Sequence, residues 1–310
     1  MKIKYLKIVP ILLLVYLIFQ TWPSMTGVGQ GLRNFVEQHT ISIFLSTLFM
    51  VASFSLRGYR WAVVMQGHRQ FSSFYWGAAH GWSMLWLTFM PFRTGEVVRP
   101  VWLKRKGGSI SIAITSILYE RACDTLILVF FLILSSPYLI EFGNIAEYPT
   151  QFITGLLVCA ICAALFSYYY RDKLALKLHS VREHFTVQRL IYGFLLSVAS
   201  WLFAAASVFT IVQHTSPDLS FETCMTFIAL VNLSMIVAVT PGNIGLYETI
   251  GLMTLTAFGI SSETAFPAVL IAHITSLSAT ILYGCSSSIY MKFTDRQSER
   301  STRNSGINVG

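Results

Sequence analysis

Five ionisable side chains stand in otherwise apolar stretches of this sequence: Glu96, Glu120, Arg121, Asp124 and Glu248. A charge at the centre of a bilayer costs from about 2.5 kcal/mol upward on insertion scales. Residues kept there face a bundle interior or a water-filled cavity rather than lipid. In Leu118-Tyr119-Glu120-Arg121-Ala122-Cys123-Asp124, helical spacing puts Glu120 and Asp124 on one face and Arg121 beside Asp124. Arg121 can then pair with Asp124 in its own helix or with Glu96 from another segment. A buried ion-pair network and a substrate site are both open readings. They are compatible, because a site must also be held together.

A second cluster, Arg93-Thr94-Gly95-Glu96 with Arg99, suits a phosphate or carboxylate. Two arginines on a glycine-opened backbone, with half-helix N-termini close by, offer donors to an oxyanion. The competing reading is ordinary anchors that snorkel to anionic headgroups. With Asn243 and His273 from around Glu248, the candidate binding set is Arg93, Glu96, Arg99, Glu120, Arg121, Asp124, Asn243, Glu248 and His273. The residues that break the backbone near them are Pro91, Gly95, Pro100, Pro241, Gly242 and Gly245. His80 reads as a packing histidine. Cys159-x-x-Cys162 has redox spacing, but in an apolar helix these read as small packing residues. No catalytic set, metal site or cofactor is expected.

The elements that must position these residues follow from composition. Of 310 residues, 54% are hydrophobic, 14% aromatic and 12% charged, against about 25% charged in soluble domains. The mean hydropathy is +0.61. Long apolar runs at Ile8–Phe19, Ile41–Leu56, Thr125–Pro137, Phe152–Tyr170, Ile191–Val212 and Phe266–Tyr283 approach the ~20 residues that cross a bilayer core. The sequence predicts an all-α polytopic membrane protein. A nucleic-acid partner, a secreted disulfide scaffold and a soluble enzyme are excluded.

The basic residues orient it. The net charge of +8 comes from 22 Lys and Arg against 14 Asp and Glu, and in a membrane protein this excess marks the cytoplasmic side. Lys2, Lys4 and Lys7 precede a first span with no small-residue cleavage site after it. Arg57, Arg60 and Arg69 read as the loop after the second span. If Phe74–Phe92 crossed, the cluster Arg93, Arg99, Lys104, Arg105 and Lys106 would lie outside. A hairpin that enters and returns removes the conflict. The layout is then six full spans plus two broken or re-entrant hairpins, with all basic residues but Arg33 and Arg121 on the cytoplasmic side. Both termini are expected in the cytoplasm. The tryptophans at 76, 82, 86 and 102 suit an interfacial belt, and Leu174–Arg189 a surface segment. One transmembrane domain covers 1–293, followed by a polar tail over 294–310 expected to be disordered. The stretch 223–260 is open between a re-entrant hairpin and two full spans.

The order of elements repeats with opposite orientation, from about 40–137 and again from about 190–290, as in many secondary transporters. Each break reads Pro-x-x-x-Gly followed by a glutamate: Pro91-x-x-x-Gly95-Glu96 and Pro241-x-x-x-Gly245-x-x-Glu248. From Glu96 to Arg121 is 25 positions, as it is from Glu248 to His273.

The set Gly95-Glu96-x-x-Arg99-Pro100, Glu120-Arg121-x-x-Asp124 and Pro241-Gly242-x-x-Gly245-x-x-Glu248 resembles the flippase-like transmembrane domain family, the membrane part of lysylphosphatidylglycerol synthase. The likeness runs from about Ile8 to Tyr290. It departs from the family at Gly242-Asn243, where Gly-Gly is usual, and at His273, where arginine or tyrosine is common. The resemblance implies an inner-membrane protein of a bacterium or archaeon that handles or flips a lipid with an anionic or modified headgroup. A phospholipid or a polyprenyl-phosphate-linked glycan fits. Its partners would be that lipid and enzymes of lipid or glycan biosynthesis. The soluble synthase domain of the two-domain relatives is not expected in the ~20 polar residues after the last span. The alternative is a membrane enzyme, or an accessory subunit, in lipid-linked glycan or headgroup transfer.

Overall fold

The computed structural model describes residues 25–66, 71–142, 186–216, 219–235 and 240–304. The first span, the fourth and most of Leu174–Arg189 lie outside the described residues. Within them the regular structure is helical: α1 (Met25–Gln38), α2 (Thr40–Val64), α3 (Ser73–Phe89), α4 (Val98–Arg105), α5 (Ile110–Phe142), α6 (Val187–Val212), α7 (Phe221–Ser234), α8 (Leu246–Ala257) and α9 (Ser262–Asn304). Two 3-10 turns, Pro91–Val97 and Pro241–Asn243, stand at the breaks. Helices α2 and α6 and the Ser262–Gln297 part of α9 are long and apolar enough to cross a membrane. Helix α5 has 33 residues and carries Glu120, Arg121 and Asp124. Hydroxyl caps start the helices that follow turns: Ser72 accepts from the Tyr75 amide, Thr186 from Arg189 and Ser220 from Thr223.

The helices that flank the breaks are short. At 1.5 Å per residue, the 14 residues of α7 and 12 of α8 span about 20 Å each. Neither reaches across a ~30 Å core alone. The segment from α3 to α4 turns back on itself. Tyr75, near the start of α3, donates its hydroxyl to Asp295 at 2.7 Å, and Lys106, just past α4, donates to the same oxygen at 2.8 Å. Both ends of the hairpin therefore meet one point on α9. Burial works against the Lys106 charge, but Asp295 and the Tyr75 hydroxyl outweigh it and hold its pKa above the usual value.

Small residues set the packing. Helix α2 lies along α6, where the Ser46 and Ser207 hydroxyls meet at 2.9 Å and Ser53 donates to the Ser200 carbonyl at 2.7 Å. Such residues let membrane helices approach closely. Helix α3 packs on α9, and α5 on α7. A Cβ at Gly95 would lie 2.4 Å from the backbone of Trp86 and Leu87, so only glycine lets the first break fold against α3. A central core gathers Phe54, Ile127, Phe131, Trp201 and Phe227. At one end of α1, Leu32 and Phe35 rest on Ile211, Ala268 and Ile271.

Three features differ from expectation. Helix α2 continues to Val64, so Arg57 and Arg60 belong to a helix and not to a loop; the apolar run resumes at Trp61-Ala62-Val63-Val64 and draws both arginines inside. Trp76 and Trp102 are buried with Trp61 in an aromatic cluster and do not form an interfacial belt, while Trp86 is exposed. The polar stretch from Thr294 continues as helix through Asn304, its first turn tied down by Asp295. Residues 305–310 lie outside the described part.

Candidate functional site

Glu120 and Asp124 of α5 point into the bundle. Glu120 is 1% exposed and accepts from Arg99 Nη1 with both oxygens, at 3.0 and 2.9 Å. Arg60 Nη2 stands 3.6 Å from the same carboxylate. Asp124 accepts from Arg60 Nη1 at 2.6 Å and from Trp201 Nε1 at 3.1 Å, and Ser197 takes a further bond from Arg60 at 2.6 Å. Helices α2, α4, α5 and α6 are thus joined through one dry network. Removing one partner would leave a buried charge uncompensated, at a cost of about 3–5 kcal/mol.

Each break also carries a glutamate against a base 25 positions on. At the first, Glu96 faces Arg121 at 3.7 Å, an ion pair too long for a hydrogen bond, with the side chains 27% and 37% exposed. At the second, Glu248 Oε1 is 2.6 Å from His273 Nδ1, and its other oxygen accepts the Gly245 amide at 2.7 Å. His273 Nε2 lies 2.9 Å from the Gly242 carbonyl, and the ring stacks on Tyr247 at 4.2 Å. A carbonyl only accepts, so Nε2 carries a proton. Nδ1 then faces the Glu248 carboxylate, and the two form an ion pair when the ring is protonated. The backbone there is left-handed at Gly242 (φ 67°), Asn243 (φ 56°) and Gly245 (φ 90°), a conformation glycine adopts most readily.

A cavity of about 140 Å³ lies between the two breaks. Its polar wall includes Arg57, Arg121, Asn232, Asn243, Tyr247 and His273; Met50, Phe54, Met84 and Leu87 supply apolar wall. The Arg57 guanidinium stacks on Trp201 with 4.0 Å to the ring centroid. Stacking of this kind contributes about 2 kcal/mol when desolvated. The arrangement can receive a small polar anion beside apolar matter.

Of the residues expected from sequence, Arg121, Asn243 and His273 line this cavity. Glu96 and Glu248 stand behind two of them as their ion partners. Arg99, Glu120 and Asp124 come together in the dry network instead, with Asp124 taken by Arg60 rather than by Arg121. The Arg93 side chain lies outside the described part. His80 is buried near Trp61 and Tyr283. Arg57, Arg60, Trp201, Asn232 and Tyr247 were not legible as site residues. The signal for the two arginines was the apolar run that resumes after them.

Comparison with known proteins adds one match. A family model described as the lysylphosphatidylglycerol synthase TM region matches residues 6–284. No curated protein and no solved structure gives a match. Since that match covers most of the chain, and the described residues fold as apolar helices with Arg60, Arg99, Glu120 and Asp124 buried among them, the protein belongs to the family of the lysylphosphatidylglycerol synthase TM region, a family of membrane proteins related to lipid.

Proposed function

We propose that this protein is a flippase, or transporter, for a lipid with an anionic or modified headgroup. It works in the inner membrane of a bacterium or archaeon with both termini in the cytoplasm. The observation that carries the reading is the cavity: Arg57 and Arg121 come to it from the first half of the chain, Asn243, Tyr247 and His273 from the second. A site walled by two halves changes its access when one half rocks against the other. The packing supports an inverted repeat. The lead helices α2 and α6 pair with each other, α3 pairs with α9, and α5 with α7, so exchanging the halves preserves the pattern. The two glutamate–base pairs at the same spacing support it as well.

In this reading the two breaks stand on either side of the headgroup, the first as a fixed frame and the second as the part that moves. The test is reconstitution into liposomes that contain phosphatidylglycerol labelled on its headgroup. Wild-type protein scrambles the label between leaflets, and Arg121→Ala, still folded by size exclusion and thermal unfolding, loses that activity. Release of a chemically altered lipid would instead favour the enzyme reading. Equal scrambling by Arg121→Ala would contradict the proposal.

A further inference from the structure

The first half of the molecule brings four arginines and three carboxylates together. Arg60 is matched by Asp124, Arg99 by Glu120 and Arg121 by Glu96. Arg57 makes no ion pair among the described residues, and its Nε has no hydrogen-bond partner. The guanidinium does not escape by losing its proton. Among the described residues one fixed positive charge is therefore left over, on a partly buried side chain at the cavity wall, and an ion withdrawn from water without a counter-charge is unfavourable. It stands on the cavity wall with two side-chain amides, Asn232 and Asn243.

We infer that this cavity takes the singly charged phosphodiester of a membrane lipid, with Arg57 as its principal cationic contact; this rests on the lipid-transport reading and names its substrate class. A monoanion supplies the one missing counter-charge, whereas a dianion would leave the opposite imbalance. The planar fork of Arg57 matches two oxygens of a phosphate. Trp201 holds the plane of that fork from one side. Asn232 already donates one amide hydrogen to the Ile228 carbonyl at 2.8 Å, which leaves its second for the ligand. The apolar wall from Met50, Met84 and Leu87 suits the glycerol and first acyl carbons of an amphiphile better than a free anion. A volume of about 140 Å³ is room for a headgroup with a few waters, with the acyl chains left in the bilayer.

The experiment titrates the purified full chain in detergent with three probes: short-chain phosphatidylglycerol, short-chain diacylglycerol and inorganic phosphate. Phosphatidylglycerol binds, and Arg57→Gln weakens that binding by roughly tenfold or more. Asn232→Asp, which removes no cation, weakens it by roughly the same factor because it places a counter-charge inside the cavity. Diacylglycerol does not compete. Unchanged phosphatidylglycerol affinity in Asn232→Asp, or equal competition by diacylglycerol, overturns the inference; Asn232→Asp decides alone if Arg57→Gln fails to fold. Inorganic phosphate binding as tightly as the lipid, and equally dependent on Arg57, would overturn the lipid assignment and give the site to a free anion. Scrambling by wild type with Arg57-independent binding sinks the inference and leaves transport standing. Arg57-dependent binding without scrambling does the reverse.

Discussion

The two breaks share a sequence pattern and differ in how they are held. The first is fixed by contact: Gly95 lies against the backbone of α3, and Arg99 and Glu120 lock its far side into a dry network. Its glutamate pair is loose and half-open, at 3.7 Å. The second has open space around Gly245, three left-handed residues, and a tight pair at 2.6 Å. The first break is framed by ion pairs that leave Arg57 over among the described residues; the second keeps its glutamate–histidine pair and a backbone that glycine and asparagine allow to bend. The lesson is that a shared turn motif does not imply a shared mechanical role. In the proposed transport cycle the first break serves as frame and the second as hinge.

Substitutions can break that contrast. The largest effect is expected at Gly95→Ala, whose methyl group would overlap backbone at 2.4 Å. It should destabilise by about 3 kcal/mol or more, the upper end of overpacking costs, and abolish folded protein in a thermal unfolding assay. Gly245→Ala meets nothing within 4 Å and should cost only the left-handed backbone, about 1–2 kcal/mol. Next, Glu120→Gln strips Arg99 and weakens Arg60 in a dry setting, at about 3–5 kcal/mol, whereas Glu248→Gln keeps a hydrogen-bonding group and should cost about 1 kcal/mol. Equal melting shifts within either pair would remove the distinction between frame and hinge. The smallest expected stability effect is Arg121→Ala, about 0–1 kcal/mol for a partly exposed pair, even though it is the variant that loses transport.

Much of this was legible in the chain. The Glu-to-base spacing of 25 is a contact at both breaks, because a helix that follows a turn of similar length brings the same register back to it. The hairpin drawn from the crowding of Arg93 to Lys106 is the segment whose ends meet at Asp295. The partner of Asp124 was not legible. Arg60 sits in a helix that looked finished at Leu56, and a hydropathy run stops at a charge while a helix does not. Trp76 and Trp102 were read by residue type, yet burial against Trp61 depends on two helices crossing. Arg57 became visible only by matching every other charge around it.

The central claim is that the two halves are inserted in opposite senses around one cavity. Lys104, on α4, and Glu263, at the start of α9, are both exposed. Lys106, two residues beyond Lys104, binds Asp295, and the 32 residues from Glu263 to Asp295 rise about 48 Å along α9. The direct measurement is labelling of Lys104→Cys and Glu263→Cys in intact cells, with the five native cysteines replaced. The account predicts that an impermeant thiol reagent added outside labels position 263 and leaves position 104 untouched until the cells are opened. Labelling of both positions from the same side would contradict it.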